Sequence, residues 1–325
     1  MRLIFAGTPE PAVVALQKLL DDGRHDIVAV LTRPDARRGR GKTLSPSPVK
    51  ALAQEHGIPA LTPTSLRDPE AQEAIRELNP DCIPVVAYGN LVPPELLEVP
   101  EHGWVNLHFS LLPAWRGAAP VQAAIAAGDE ITGASTFRIE AGLDTGPVFG
   151  TVTESIKPTD TADDLLTRLA YSGADLLSAT MDGIAAGALR PTAQPEDGVS
   201  YASKFSPEDS RVNWSQLPHL INRRSRAFTP APGAWTTLEG SRVKVADLTP
   251  LSDDASAAIE ARAAVDAAGS AQNSQPGTIF VEKHRVVVRC GQGFVELGRV
   301  QPQGKKMMAA QDWARGAQPG GKVFE

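Results

Sequence analysis

Cysteine is nearly absent from this sequence: Cys82 and Cys290 are the two thiols in 325 residues. They are too far apart for a CxxC pair or a metal-ligand spacing, so the pattern argues against a disulfide framework and implies no metal. Long hydrophobic runs are also missing. Leu3–Ala6 is too short for a signal-peptide core and is broken by Gly7, Pro9 and Pro11, and no stretch approaches the ~20 apolar residues of a membrane span. A cytoplasmic protein without membrane contact is expected. After the first apolar run, Gly7-Thr8-Pro9 supplies no GxGxxG, which argues against a nucleotide-dependent dehydrogenase. Excess positive charge is lacking as well. Lys and Arg number 32 against 38 Asp and Glu, a net charge of -6, so the bulk signature of a nucleic-acid binder is absent and the distribution of charge has to carry the argument.

What is present is an ordinary globular composition, 42% hydrophobic and 22% charged. The length exceeds the ~250–300 residues at which single cores stop growing, so two domains are expected. Short apolar runs alternate with helical patterns through the first half. Arg2–Ala6, Ile27–Leu31, Cys82–Ala87 and Trp104–His108 read as strands. Pro11–Leu20 carries helical spacing, and Ser47-Pro48 and Asp68-Pro69 are helix starts, with an N-cap residue followed by proline at the first helical position. Gly133–Ile139 and Val148–Thr153 follow as strands, with Val121–Ala127 and Thr161–Ala186 as helices. The order implies a doubly wound, mostly parallel Rossmann-like α/β sheet over residues 1–189.

The pattern then changes. The polar, turn-rich residues 190–206 read as a linker. Residues 207–325 carry one short helix, Leu217–Arg226, and then mostly short strands, at Trp235–Leu238, Arg242–Ala246, Gly277–Val281, Val286–Cys290 and Phe294–Val300. That spacing indicates a small β-barrel or sandwich. Ser252–Gln275, rich in Ala, Ser and Asp, is expected to be a flexible insertion with at most a transient helix.

The stretch Asn106-Leu107-His108-Phe109-Ser110-Leu111-Leu112-Pro113 carries the chemistry. Strand side chains alternate, so Asn106 and His108 project from one face. In open α/β sheets ligands bind beyond the carboxyl ends of the strands. A carboxamide and an imidazole standing there supply N–H donors for a developing oxyanion. An isolated histidine is more often a satisfied structural group, and an isolated Asp in the turn Gly142-Leu143-Asp144-Thr145-Gly146 more often bonds its own backbone. Spacing alone does not bring Asp144 to His108.

Together, however, NLHFSLLPAWRGAAP and the later GLDTGPV closely resemble the folate-dependent formyltransferases. The resemblance implies that Asn106, His108 and Asp144 are catalytic and that Ser110, Leu111, Leu112 and Pro113 border a bound tetrahydrofolate. It makes 10-formyltetrahydrofolate the formyl donor. Phe109 departs from the small residue typical of the family at that place, which bears on loop packing.

Three further regions address the acceptor. In RPDARRGRGKTLSPSPVK, Arg37, Arg38, Arg40 and Lys42 cluster with one acidic residue, Asp35. The plain reading is a solvated loop; the functional one is a basic arm that orders on RNA phosphates. The segment resembles the inserted loop that enters the tRNA acceptor stem in this family. Arg223, Arg224 and Arg226, in RRSRAFTPAPGAW, resemble the family's interdomain stretch, although a cationic helix end is the ordinary alternative. Lys305 and Lys306 lie in QPQGKKMM, which resembles the family's terminal signature, and the resemblance implies an OB-like tRNA-binding barrel over residues 207–325. The resemblance thus implies methionyl-initiator tRNA as partner and acceptor, with the nine basic residues as its contacts, and a monomer is expected. Glycinamide ribonucleotide or an amino sugar is the rival acceptor, and a catalytically idle RNA-binding module is a rival of another class.

Overall fold

The computed structural model describes residues 1–38, 43–266 and 275–325. They form two compact units. The first comprises Met1–Pro120, Glu130–Ile156 and Asp164–Ser203; the second comprises Val121–Asp129, Lys157–Asp163 and Lys204–Glu325.

The first unit is built on a seven-stranded sheet. Across it run Val148–Ser155, Ile131–Arg138, Trp104–His108, Ile83–Val86, Arg2–Gly7, Asp26–Leu31 and Ala60–Leu61. The five strands from Trp104–His108 to Ala60–Leu61 are parallel, and Ile131–Arg138 pairs antiparallel to both of its neighbours. Leu3, Ile4, Phe5 and Ala6 are fully buried, as a parallel strand covered on both faces requires. Gly7 follows because a Cβ there would lie 2.7 Å from the Ala12 Cβ and 3.0 Å from the Val86 carbonyl. The helix starts read from sequence are present with their caps. Ser47 Oγ accepts from the Lys50 amide at 3.0 Å and Asp68 Oδ1 from the Glu70 amide at 3.1 Å, with Pro48 and Pro69 opening the helices Pro48–Glu55 and Pro69–Glu77. The two-residue edge strand Ala60–Leu61 and the one-turn helix Pro94–Leu97 are too short to show a period.

The second unit is a curled antiparallel sheet in the order Trp235–Leu238, Ser241–Pro250, Phe294–Pro302, Val286–Arg289, Ile279–Val281, with Met308–Ala309 pairing to Phe294–Pro302. The tail at Lys322–Glu325 joins its two ends. On one side the Glu325 and Thr237 amides and carbonyls bond reciprocally at 2.9 and 3.3 Å; on the other the Phe324 amide donates to Gly277 O and the Ile279 amide to Lys322 O, both at 2.9 Å. The ladder therefore closes, and closure removes the exposed edges of an open sheet. Phe324, 2% exposed, stacks against Trp214 at 5.5 Å and Trp313 at 6.1 Å in the core.

The stretch expected as a flexible insertion carries a helix, Asp253–Asp266. Alanine favours helix locally, and Ile259, 3% exposed, anchors it against Val287 and Phe294. Ile259 and Val265 are too few among the alanines and polar residues to give a periodic signal, so tertiary packing decided this element.

Phe324→Ala is expected to destabilise the second unit by about 3–5 kcal/mol, the range for truncating a buried aromatic. Chemical denaturation followed by tryptophan fluorescence reads it directly, because Phe324 stacks on two indoles. A loss well below about 1 kcal/mol would show that the tail does not hold the barrel closed.

Candidate active site

Three peptide segments meet at the carboxyl end of the Trp104–His108 strand. The strand supplies Asn106 and His108 from one face. Asn106 is half-buried, and among the described residues its carboxamide has no hydrogen-bond partner. His108 is buried. Its Nε2 lies 2.9 Å from the Trp115 carbonyl, and its Nδ1 lies 3.8 Å from Oδ2 of Asp144. A carbonyl oxygen has no hydrogen to give, so Nε2 is the donor and carries the ring proton in the neutral form. Nδ1 is then the acceptor, and it faces the carboxylate. The edge of the His108 ring also meets Phe137, with centroids 6.3 Å apart and planes at 85°. Burial pushes the imidazole below its usual range; the Asp144 charge and the Trp115 carbonyl act in the opposite direction.

Asp144 stands in the loop after the Ile131–Arg138 strand, with φ +51°. Asp tolerates this left-handed region better than most residues. Its Oδ2 accepts from the Gly117 amide at 2.7 Å, which sets the carboxylate between backbone and imidazole. Gly146 is required by space, because a Cβ there would sit 1.7 Å from the Arg138 carbonyl. Gly117, at φ +119°, lies where a Cβ would meet the Ala202 carbonyl at 2.6 Å.

The residues expected as linker do more than connect. Gln194 Nε2 donates to the Asp144 and Gly146 carbonyls, each at 2.8 Å. Its Oε1 accepts from Arg116 Nη2 at 2.7 Å and Nε at 3.1 Å. Ser200 Oγ accepts from the Trp115 amide at 2.9 Å, Ser200 O accepts from the Arg116 amide at 2.9 Å, and Tyr201–Ala202 pairs in parallel with Arg116–Gly117. These residues hold the loop that carries the Trp115 carbonyl and the Gly117 amide. Sequence reasoning missed Gln194, Ser200 and Trp115, for a polar residue in a turn-rich segment has no period to give away its partners.

Ser110, Leu111, Leu112 and Pro113 form a loop fixed from within. Ser110 Oγ donates to Ala114 O at 2.6 Å. Ser135 Oγ donates to Ser110 O at 2.7 Å and accepts from the Leu112 amide at 3.1 Å. Leu111 packs on Gly133, where a Cβ would come within 2.6 Å of its Cδ2. The Leu112–Pro113 bond is cis. Phe109 is buried, so its departure from the usual small residue is absorbed inside the fold.

The basic residues are placed unequally. Arg37 is exposed on a short antiparallel hairpin, Ala36–Arg38 with Thr43–Ser45, and Arg38 belongs to the same strand. Asp35 is held by Lys50 Nζ at 2.7 Å, so the acidic residue of this segment already has a cation. Arg40 and Lys42 lie outside the described residues. Lys305 and Lys306 are exposed on the turn after Phe294–Pro302. Arg224 and Arg226 are turned inward. Arg224 donates to Asp209 O and lies over Phe228 at 5.4 Å; Arg226 donates to Asn222 Oδ1 at 2.9 Å and to Asp160 O at 2.8 Å. Arg223 lies against Gly128, where a Cβ would be 2.2 Å from its guanidinium carbon. Among the described residues, no group of three or more His, Cys, Asp and Glu side chains is arranged to hold a metal, and no helix is long and apolar enough to cross a membrane.

Residues 1–181 match the family model described as formyl transferase, and residues 204–318 match formyl transferase, C-terminal domain. The chain is 58% identical over 323 residues to a protein of Corynebacterium glutamicum strain R named methionyl-tRNA formyltransferase, covering 98% of each chain. Among solved structures it resembles the methionyl-tRNA formyltransferase of Clostridium thermocellum, with a TM-score of 0.56 at 15% identity, over 91% of this chain and 98% of that one. It also resembles an N-formyltransferase of Helicobacter canadensis described in complex with folinic acid and dTDP-3-aminofucose. There the TM-score is 0.64 at 18% identity, over 92% and 98% of the two chains.

The two opposing influences on His108 are separable. Because burial lowers its pKa and the Asp144 charge raises it, Asp144→Asn should shift the His108 titration further down. NMR titration of the ring protons in the two proteins measures this, and an upward shift would contradict the geometry. The sign for stability follows from linkage. With a folded pKa below the unfolded ~6.5, the unfolded state binds more protons, so stability is whole above about pH 6.5 and declines as pH falls toward the folded value.

Proposed function

The chain belongs to the formyl transferase family, with both of its domains present, and from that premise we propose that it moves a formyl group from 10-formyltetrahydrofolate to the amino group of methionyl-initiator tRNA. High identity over nearly the whole chain to a protein named methionyl-tRNA formyltransferase supports the acceptor. The folate donor is supported by the family and by the chemistry of the rim, where an unpartnered carboxamide N–H suits a formyl carbonyl.

The single observation that carries the mechanism is the pairing of buried His108 with Asp144 beside Asn106. The methionyl amine attacks the formyl carbon. A new N–C bond forms and the carbonyl electron pair moves onto oxygen. The Asn106 carboxamide donates to that oxygen, a contact worth ~3–4 kcal/mol in comparable oxyanion sites. Nδ1 of neutral His108 accepts the proton released by the attacking nitrogen, because Nε2–H is already committed to Trp115 O. The imidazolium so formed has Asp144 beside it, and the carboxylate offsets its burial. On collapse, the bond between the formyl carbon and N10 breaks and His108 returns its proton to N10. Formyl-methionyl-tRNA and tetrahydrofolate leave, and every proton is accounted for.

Ser110, Leu111, Leu112 and Pro113 would border the folate. Arg37, Arg38, Arg40 and Lys42 would form an arm on the acceptor stem, with Lys305 and Lys306 as further phosphate contacts. Arg224 and Arg226, held by internal partners, would act by keeping the second unit in shape. Translation initiation places the reaction in the cytoplasm.

Purified protein supplied with 10-formyltetrahydrofolate and methionyl-initiator tRNA should formylate it, with glycinamide ribonucleotide and a UDP-amino-sugar left unmodified. Preferred turnover of either competitor would overturn the acceptor. Asp144→Asn is expected to lower kcat at least a hundredfold while the cooperative unfolding transition persists. Near-normal turnover would remove Asp144 from the mechanism. Neutralising Arg37, Arg38, Arg40 and Lys42 together should raise KM for tRNA and flatten its salt dependence while sparing folate. An unchanged salt slope would take the arm out of recognition.

A further inference from the structure

Arg33 lies two residues beyond the Asp26–Leu31 strand, and among the described residues its buried Nε and Nη2 groups have no hydrogen-bond partner. A guanidinium does not shed its proton in proteins, so these donors stay charged and need an acceptor. Leaving a buried donor unmet is costly, and more so for a charged group. Its neighbours are engaged elsewhere: Thr32 Oγ1 is bonded to Ser47 Oγ at 2.6 Å, and the Asp35 carboxylate to Lys50 Nζ at 2.7 Å. Among the described residues nothing meets these donors, which leaves the fork open to an anion from outside the chain. Nε–H and Nη2–H lie along one edge of the guanidinium, a fork that matches two oxygens of a phosphate or carboxylate.

The sheet register locates this fork relative to the chemistry. Leu31 pairs with Ala6, Ala6 with Val85, and Val85 with Asn106. Three interstrand steps of ~4.8 Å span about 14 Å. Arg33 and His108 each stand two residues past this row, toward the carboxyl end, so both belong to the same rim. The separation is on the scale of a terminal nucleotide with its aminoacyl ester. The chain then runs from Arg33 straight into the hairpin that exposes Arg37.

We propose that Arg33 binds a phosphate in the 3′-terminal single strand of the acceptor RNA, as a positioning residue that sets how far the aminoacyl end enters the site. The assignment rests on the tRNA-directed reading above. The competing source of such an anion is the glutamate carboxylate of the folate, and the test tells them apart.

Arg33→Gln and Arg33→Lys would be assayed with methionyl-tRNA and with 3′-O-methionyl-adenosine, which offers the same amine without a phosphate. For Arg33→Gln the KM for methionyl-tRNA should rise roughly tenfold, at the low end for a charged hydrogen bond, with kcat little changed. The slope of log KM against log salt should fall by about 0.7, one single-strand phosphate contact. Turnover of methionyl-adenosine and the KM for folate should be those of the wild type. Arg33→Lys should recover part of the loss, since it keeps charge and loses the fork. The Tm of Arg33→Gln should not fall, because the substitution removes unmet buried donors. An unchanged KM for methionyl-tRNA would overturn the assignment, and so would equal losses with both acceptors. A raised KM for folate would give Arg33 to the donor instead. A wild-type protein that leaves methionyl-tRNA unformylated would defeat the underlying reading as well, whereas an active wild type beside an unaffected variant defeats this assignment alone.

Discussion

The contact between His108 Nε2 and the Trp115 carbonyl is the one on which the proposed chemistry depends. Because a carbonyl only accepts, the contact selects one tautomer of a buried imidazole and turns the other nitrogen toward Asp144. A ring free to present either nitrogen would be neither a dependable base nor a dependable donor. Everything that holds the Trp115 carbonyl in place would therefore serve the proposed reaction. That support comes from Ser200 and from the Arg116–Gly117 pairing with Tyr201–Ala202. The same small lattice delivers the Gly117 amide to Asp144 and, through Gln194, fixes the Asp144 loop. Position here is set by backbone groups, which cannot swing away as long side chains do.

Charge is handled with similar economy. The protein is net acidic, yet Arg37, Lys305 and Lys306 are exposed. Lys50 holds Asp35, so Arg37 stands on its hairpin without a competing carboxylate from its own segment. Other arginines are used inward, as Arg224 and Arg226 show. A basic residue in a sequence motif is therefore not automatically a phosphate ligand, since a guanidinium with five donors can equally serve to satisfy carbonyls of its own fold.

How much of this was legible in the chain depends on the range of each interaction. The helix starts at Ser47-Pro48 and Asp68-Pro69 were readable because a cap and a fixed proline φ act within four residues. The strand carrying Asn106 and His108 was readable from its apolar run, and their common face from the period of two. The helix Asp253–Asp266 was not, because Ile259 anchors it through packing against distant residues. Barrel closure by Lys322–Glu325 was not either, since those bonds reach Thr237 and Gly277, far back in the sequence.

The sequence by itself determined the alternation that makes a parallel sheet, the change to short strands after residue 206, and the residue types able to move a proton and steady an oxyanion. Only the tertiary structure decided that Asp144 comes within 3.8 Å of His108, that a stretch resembling a linker braces the loops carrying Trp115 and Asp144, and that two Arg33 donors are unmet among the described residues. The physical reason is that local preference is written in neighbouring residues. A hydrogen bond between residues 27 or 85 positions apart exists only once the chain has closed those loops and packing has fixed their ends.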